Sequence, residues 1–338
     1  RFTDRFSSSA EASTGDFGEG GKLGTEYLLS DRTTLYSNYT LENERTDNGL
    51  RAQRGNMSSG FRSRYSDSVS VYLEEVYTHG DVPTGLTHAT GMDLAPNDRW
   101  NFGVSLDFGT LRDNITSAEM ERQALGLRVG YAFDAIKVYS AFEYRIDDRE
   151  NPDLTRTERK TWLTKNNLKY QISEQWRLIS KLNFSDSQSS MGEFYDGRYI
   201  EAVLGYGYRP IYHDRLDTLL KYTYFYNLPS ADQVTINNTA AEFIQKSHIF
   251  SIDSIYDLTR RWSLGGKYAY RLGQLSQDRV DPQFFDSRAS LYILRADWHV
   301  LRHWDAVVEA RMLELQDAGE TRSGMLTALY RHIGDNVK

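Results

Sequence analysis

The stretch Trp100-Asn101-Phe102-Gly103-Val104-Ser105-Leu106-Asp107-Phe108-Gly109 decides the fold. Every second residue is large and apolar, and those between are polar or glycine. That period of two belongs to a β-strand with one greasy and one wet face. The same alternation sets Trp176, Leu178, Ser180, Leu182 and Phe184 against Arg177, Ile179, Lys181, Asn183 and Ser185. It recurs in Ile200, Ala202, Leu204, Tyr206 and Tyr208, and in Leu216, Thr218, Leu220, Tyr222, Tyr224 and Tyr226. Two more examples are Trp262, Leu264, Gly266, Tyr268, Tyr270 and Trp304, Ala306, Val308, Ala310, Met312. Each run holds for roughly 10 to 15 residues, twice the usual strand of a soluble sheet. A tilted membrane-spanning strand takes about 9 to 11. Strand length repeated this often separates a transmembrane β-sheet from a soluble sandwich or propeller.

Composition agrees. Over 338 residues the apolar fraction is 39 %, a figure that includes 23 tyrosines. Mean hydropathy is -0.61, so the apolar residues form a thin pattern rather than a bulk core. An aromatic content of 13 % is too high for a disordered chain. No run of 18 apolar residues exists, so no transmembrane helix is expected. Residues 1–20 lack the basic-then-apolar order of a signal peptide, which points to a removed leader or a fragment. The absence of cysteine excludes disulfides, thiolate metal sites and a cysteine nucleophile. Six prolines suit long paired strands, because proline donates nothing to a ladder. A net charge of -7 argues against a nucleic-acid partner.

Connections alternate in kind. Tight turns are expected at Ser30-Asp31-Arg32, Ser66-Asp67-Ser68, Pro96-Asn97-Asp98, Phe133-Asp134-Ala135, Ser173-Glu174-Gln175, His213-Asp214-Arg215, Leu258-Thr259-Arg260, Leu301-Arg302-His303 and Gly334-Asp335-Asn336. Longer polar loops are expected over Asn43–Asn56, Asp147–Arg156, Asp186–Asp196, Leu228–Glu242 and Gly273–Gln283. Short turns at one end and long loops at the other are the asymmetry of outer-membrane barrels. The reading is an all-β transmembrane antiparallel barrel of about eighteen strands, one domain over 1–338. A nineteenth strand beginning at Val337 would leave the barrel truncated at its C-terminus, since an open edge in lipid has unpaired backbone groups.

Trp100, Trp176, Trp262 and Trp304 each follow a tight turn on the apolar face, where a membrane interface selects amphipathic rings. Tyr224, Tyr226, Tyr268 and Tyr270 are read as the opposite girdle. On the other parity stand Arg128, Glu143, Arg145, Arg177, Lys181, Glu201, Lys221, Asp253, Lys267, Arg295, Asp297, Glu309 and Arg311. In a barrel these line a lumen of mixed sign, which argues against strong selectivity for either ion sign. Glu75 breaks the pattern by sharing parity with Val69, Val71 and Leu73, so a strand end or a bulge is expected there.

Three segments, Gln245–Asp253, Tyr256–Tyr268 and Tyr330–Asn336, resemble the C-terminal barrels of large Gram-negative outer-membrane proteins. That resemblance implies an outer-membrane location and a membrane-embedded pore or anchor, with an extracytoplasmic region ahead of the barrel.

Catalytic motifs are absent: the sequence has no HExxH and no GxSxG. His79 and His88 flank the loop around Asp81, Pro83 and Gly85, and with Asp93 they offer metal or general-base ligands. Glu74/Glu75 and Asp147/Asp148 offer paired carboxylates for calcium, without an EF-hand loop. Three functions follow: a conduit, a plugged barrel that anchors an extracytoplasmic domain or partner protein, and a barrel-embedded hydrolase. The first is preferred, with outer-membrane lipid as the surrounding partner, no nucleic acid and no cofactor. Facing parity is testable: Leu204→Arg on the lipid side should cost about 2–4 kcal/mol near the midplane, and Val203→Arg far less. Urea unfolding of barrels refolded into vesicles measures both, and equal costs would contradict the assignment.

Overall fold

The computed structural model describes residues 3–15, 18–45, 51–80, 84–113, 117–150, 155–210, 215–228, 244–278, 281–301 and 304–331. Eighteen strands occupy nearly all of it. They are β1 (Phe6–Gly15), β2 (Gly18–Ser30), β3 (Thr33–Arg45), β4 (Arg51–Arg64), β5 (Val69–Gly80) and β6 (Thr84–Asn97). Next come β7 (Trp100–Arg112), β8 (Glu119–Phe133), β9 (Ile136–Glu150), β10 (Arg156–Gln171), β11 (Trp176–Ser189) and β12 (Gly197–Tyr208). The last six are β13 (Leu216–Leu228), β14 (Ile244–Asp257), β15 (Trp262–Ser276), β16 (Phe285–Leu301), β17 (Trp304–Leu315) and β18 (Glu320–Arg331). Each strand pairs antiparallel with the next in the chain, from β1–β2 through β17–β18. The result is an up-and-down meander in one sheet, the order of a transmembrane β-barrel.

A recurring local device builds the tight turns. The Asn97 side chain accepts hydrogen bonds from the N–H groups of Arg99 and Trp100 at 2.9 and 3.1 Å. Thr259 does the same for Arg261 and Trp262, both at 3.1 Å. Ser173 accepts from Gln175 and Trp176 at 3.4 and 3.3 Å. A short polar side chain thus closes the turn by satisfying two backbone donors that have no ladder partner. The tryptophan three residues later becomes the first residue of the returning strand. The same device at Ser66 leads into Val69, so the turn fixes the position and the membrane interface selects the ring.

Several strands run past the boundaries expected from sequence. β4 begins at Arg51 and β9 continues to Glu150, while β15 reaches Ser276. The Asn43–Asn56, Asp147–Arg156 and Gly273–Gln283 loops are correspondingly shorter. A ladder needs only backbone groups, so it continues above the apolar belt through polar residues that composition marks as loop. Between β11 and β12 a short 3-10 turn covers Glu193–Tyr195. The expected turns at 213–214, 302–303 and 334–336, most of the 228–242 loop and the strand from Val337 lie outside the described residues.

Glu75 requires a correction. β5 neither ends nor bulges there; the register runs unbroken through Glu75 opposite Ser59 and His88. Its carboxylate stays on the apolar face because His88 stands beside it, 3.5 Å away.

Among the described residues no cluster of large apolar side chains is buried within the sheet. Leu106, Leu204, Phe250 and Leu294 remain 50 to 70 % exposed in the bare protein, and the apolar residues that are buried include small ones such as Ala118, Ala124 and Val307. The apolar face must therefore be covered by hydrocarbon. If it faced inward, the charged face would meet lipid, at about 2–4 kcal/mol for each Arg or Lys near the midplane. By this cost the polar face is the one suited to a barrel interior.

Glycines flatten that interior. Tyr72 lies across Gly91, its partner in the β5–β6 ladder, so closely that a Cβ there would come within 2.6 Å of the ring. Arg128 lies over Gly103, its partner in β7–β8, in the same manner. Large polar side chains are laid along the wall instead of across the cavity. Gly91→Val should push Tyr72 off the wall and cost about 1–3 kcal/mol by overpacking. Gly266→Ala, where a Cβ meets nothing within 4 Å, should be neutral or slightly stabilising; urea midpoints of the two variants check this.

Candidate functional site

The thirteen charged residues singled out in the sequence all share the parity opposite the apolar face, termed inward, and most are brought into pairs. On β8 and β9, Arg122 and Arg145 close on Asp147 at 2.7 and 3.3 Å, and Arg145 also reaches Glu143 at 3.9 Å. Asp147 is buried among them. Arg128 spans two strands to Asp93 at 3.1 Å. Glu201 gathers Lys181 at 2.8 Å, the Tyr199 hydroxyl at 3.0 Å and the Asn183 amide at 3.2 Å. Lys267 and Asp253 are ladder partners 3.7 Å apart. Arg295 holds Asp297 at 2.7 Å and Glu309 at 4.0 Å, while Glu309 also takes Arg311. Two of the thirteen differ. Arg177 donates to Gln171 at 2.8 Å, and Lys221 stands between Gly205 and Ser251 in the ladders.

Cross-strand pairing is how a half-wet wall keeps fixed charge at low cost, since each ion retains part of its hydration. Sequence reading missed Asp93, Arg122, Tyr72 and Tyr199 as members of this wall. Parity relative to the nearest apolar run would have included them. The expected Asp147–Arg156 loop begins at Asp147, whereas strand β9 continues through it to Glu150.

The aromatic residues sit on the outward face. Trp100, Trp176, Trp262 and Trp304 open β7, β11, β15 and β17. Cross-strand rings extend three of them: Tyr131 lies 4.5 Å from Trp100, Tyr208 lies 4.5 Å from Trp176 and Trp298 lies 5.2 Å from Trp262. Tyr224 and Tyr226 stand near the loop end of β13, whereas Tyr268 and Tyr270 fall in the middle of β15. Trp162, packed on Tyr144 at 4.3 Å, lies toward the loop ends. A groove of about 540 Å³ on the outward face is bordered by Leu204, Leu220, Phe250 and Tyr268.

The histidine and carboxylate groupings are taken apart by the period of two. His79 and His88 face outward, the first on the Tyr39 hydroxyl at 3.2 Å and the second beside Glu75. Asp93 faces inward on Arg128, and Asp81 lies outside the described residues. Glu74 turns inward to accept from Tyr36 at 2.8 Å while Glu75 turns outward. Asp147 and Asp148 divide in the same way. Among the described residues no group of His, Asp or Glu has the arrangement of a metal site.

No protein-family model and no curated protein matches the sequence. Solved structures do. The alcaligin outer-membrane receptor FauA from Bordetella pertussis aligns over 98 % of this chain and 66 % of its own, with 13 % identity and a TM-score of 0.56. The copper transporter OprC aligns over 97 % and 65 %, with 10 % identity and a TM-score of 0.60. The siderophore receptor PirA from Pseudomonas aeruginosa aligns over 99 % and 74 %, with 11 % identity and a TM-score of 0.56. The shared level is the outer-membrane β-barrel fold. It is matched in these receptors rather than in the C-terminal barrels of large proteins that the sequence resembles. The chain spans about two thirds of the length of the first two.

The paired wall makes a graded prediction. Asp147→Asn leaves two largely covered guanidinium groups facing each other and should cost about 1–3 kcal/mol. Asp253→Asn, in a more open pair, should cost under about 1 kcal/mol. Thermal unfolding in detergent ranks them, and the reverse order would contradict the burial argument.

Proposed function

We propose that the chain forms the membrane-spanning wall of a Gram-negative outer-membrane transport protein, with its polar interior as the passage. One observation carries this reading. The charges of the polar face pair along the wall, Arg128 lies flat over Gly103 and Tyr72 over Gly91, and strand contacts run between neighbours in the chain. Such an interior leaves room for water and solute. A barrel used solely as an anchor would gain more stability from side chains interdigitating across the interior. The copper transporter and the siderophore receptor of like fold support the same class. In this reading the chemistry is passage rather than catalysis.

A second reading has the interior filled by a further polypeptide or a partner protein. It is favoured by the greater length of the two receptor structures, of which this chain spans 66 and 65 %.

Single-channel recording of the full-length protein in a planar bilayer separates the two. Steady openings in potassium chloride are expected for the open conduit. Silence from protein shown to be folded and inserted would contradict it and favour the filled interior.

A further inference from the structure

We infer that the turn-side mouth of the interior carries a binding patch for small multiply charged anions, built by Lys137, Lys169 and Arg177. This deepens the conduit reading and rests on it for its transport consequence. Lys137 on β9 and Lys169 on β10 are direct ladder partners, and both face inward and are exposed. Like charges directly opposite in a ladder repel. Arg177 stands on β11 opposite Gln171, two residues along the same inward face from Lys169, and its Nε is held by the Gln171 side chain at 2.8 Å. Lys165 extends the patch one further inward step beyond Asn167.

The rest of the wall sets this arrangement apart. Arg122, Arg128, Arg145, Lys181, Lys267 and Arg295 each have a carboxylate within 4.0 Å. Lys137, Lys165, Lys169 and Arg177 have none among the described residues, although Asp134 and Glu174 stand in the adjoining turns. Adjacent lysines about 5 Å apart at their Cα atoms lie well inside one Debye length of each other and of Arg177. Their potentials add, and low-dielectric walls around a lumen focus the sum. Other cations of this face without a carboxylate partner among the described residues, such as Lys221 between Gly205 and Ser251, stand singly. Here several adjoin, and an anion with two or more negative groups, such as a phosphate ester or polycarboxylate, matches them.

Two measurements on the full-length protein test this. In a potassium chloride gradient the wild-type conduit should show a reversal potential favouring chloride. Lys137→Gln/Lys169→Gln should reduce the chloride-to-potassium permeability ratio severalfold, while the outward-face control Arg156→Gln/Lys160→Gln should not. A wild type that prefers potassium, or a double variant with unchanged reversal potential, overturns the inference. If the barrel conducts nothing, the conduit reading fails and calorimetric titration with inorganic pyrophosphate decides the patch by itself. Saturable, salt-sensitive binding that the double variant loses supports it. Absence of binding, equal binding by the variant, or binding only of an acidic peptide overturns it.

Discussion

Backbone hydrogen bonding in a solvent that offers none is the constraint on which everything else in this structure depends. Within hydrocarbon each unpaired N–H or C=O costs several kcal/mol, so each strand must find both neighbours through the full thickness of the bilayer. The consecutive antiparallel ladders meet that demand from β2 to β17, while β1 and β18 each have one ladder neighbour among the described residues. Strand length follows from it, as does the scarcity of proline. Register slips are confined to turn ends, such as those between Leu28 and Ser30 and between Leu94 and Asn97.

Once the ladder is fixed, the two faces must answer to different solvents. The outer face carries aliphatic side chains with aromatic rings toward the rims, and it gains its burial from lipid rather than from the protein. The inner face carries charge, which is affordable because opposite charges meet across strands while water still reaches them. Glycine on the inner face gives a second degree of control: it decides whether a large neighbour lies along the wall or projects into the interior. Tyr72 over Gly91 and Arg128 over Gly103 show the first outcome. The electrostatics of the interior are thus set by which cations find a carboxylate, and at the Lys137–Lys169 ladder pair two adjacent lysines do not.

Much of this was legible in the residues alone. Alternation and strand length carry a direct physical signature, and Asn97-x-x-Trp100, Ser173-x-x-Trp176 and Thr259-x-x-Trp262 encode turn and interface in four residues. Which face a residue takes was equally readable, because side chains alternate strictly along an unbroken strand. What could not be read was partnership. Parity places Arg128 inside, but its reach to Asp93 across two strands depends on register and on Gly103 leaving space. Glu75 was taken for a break because a carboxylate among apolar residues costs too much alone. Its partner His88 sits on another strand, opposite only once the β5–β6 register is known.

The claim at the centre of this account is that one face of each strand meets lipid and the other meets water. The protein has no cysteine, so single cysteines introduced one at a time along Gly197–Tyr208 in lipid-reconstituted barrels report each position without background. A membrane-impermeant thiol reagent should label positions 201, 203, 205 and 207 and spare 200, 202, 204 and 206. Uniform labelling, or labelling of the Leu204 parity in place of the Val203 parity, would contradict the assignment of inside and outside on which the interior depends.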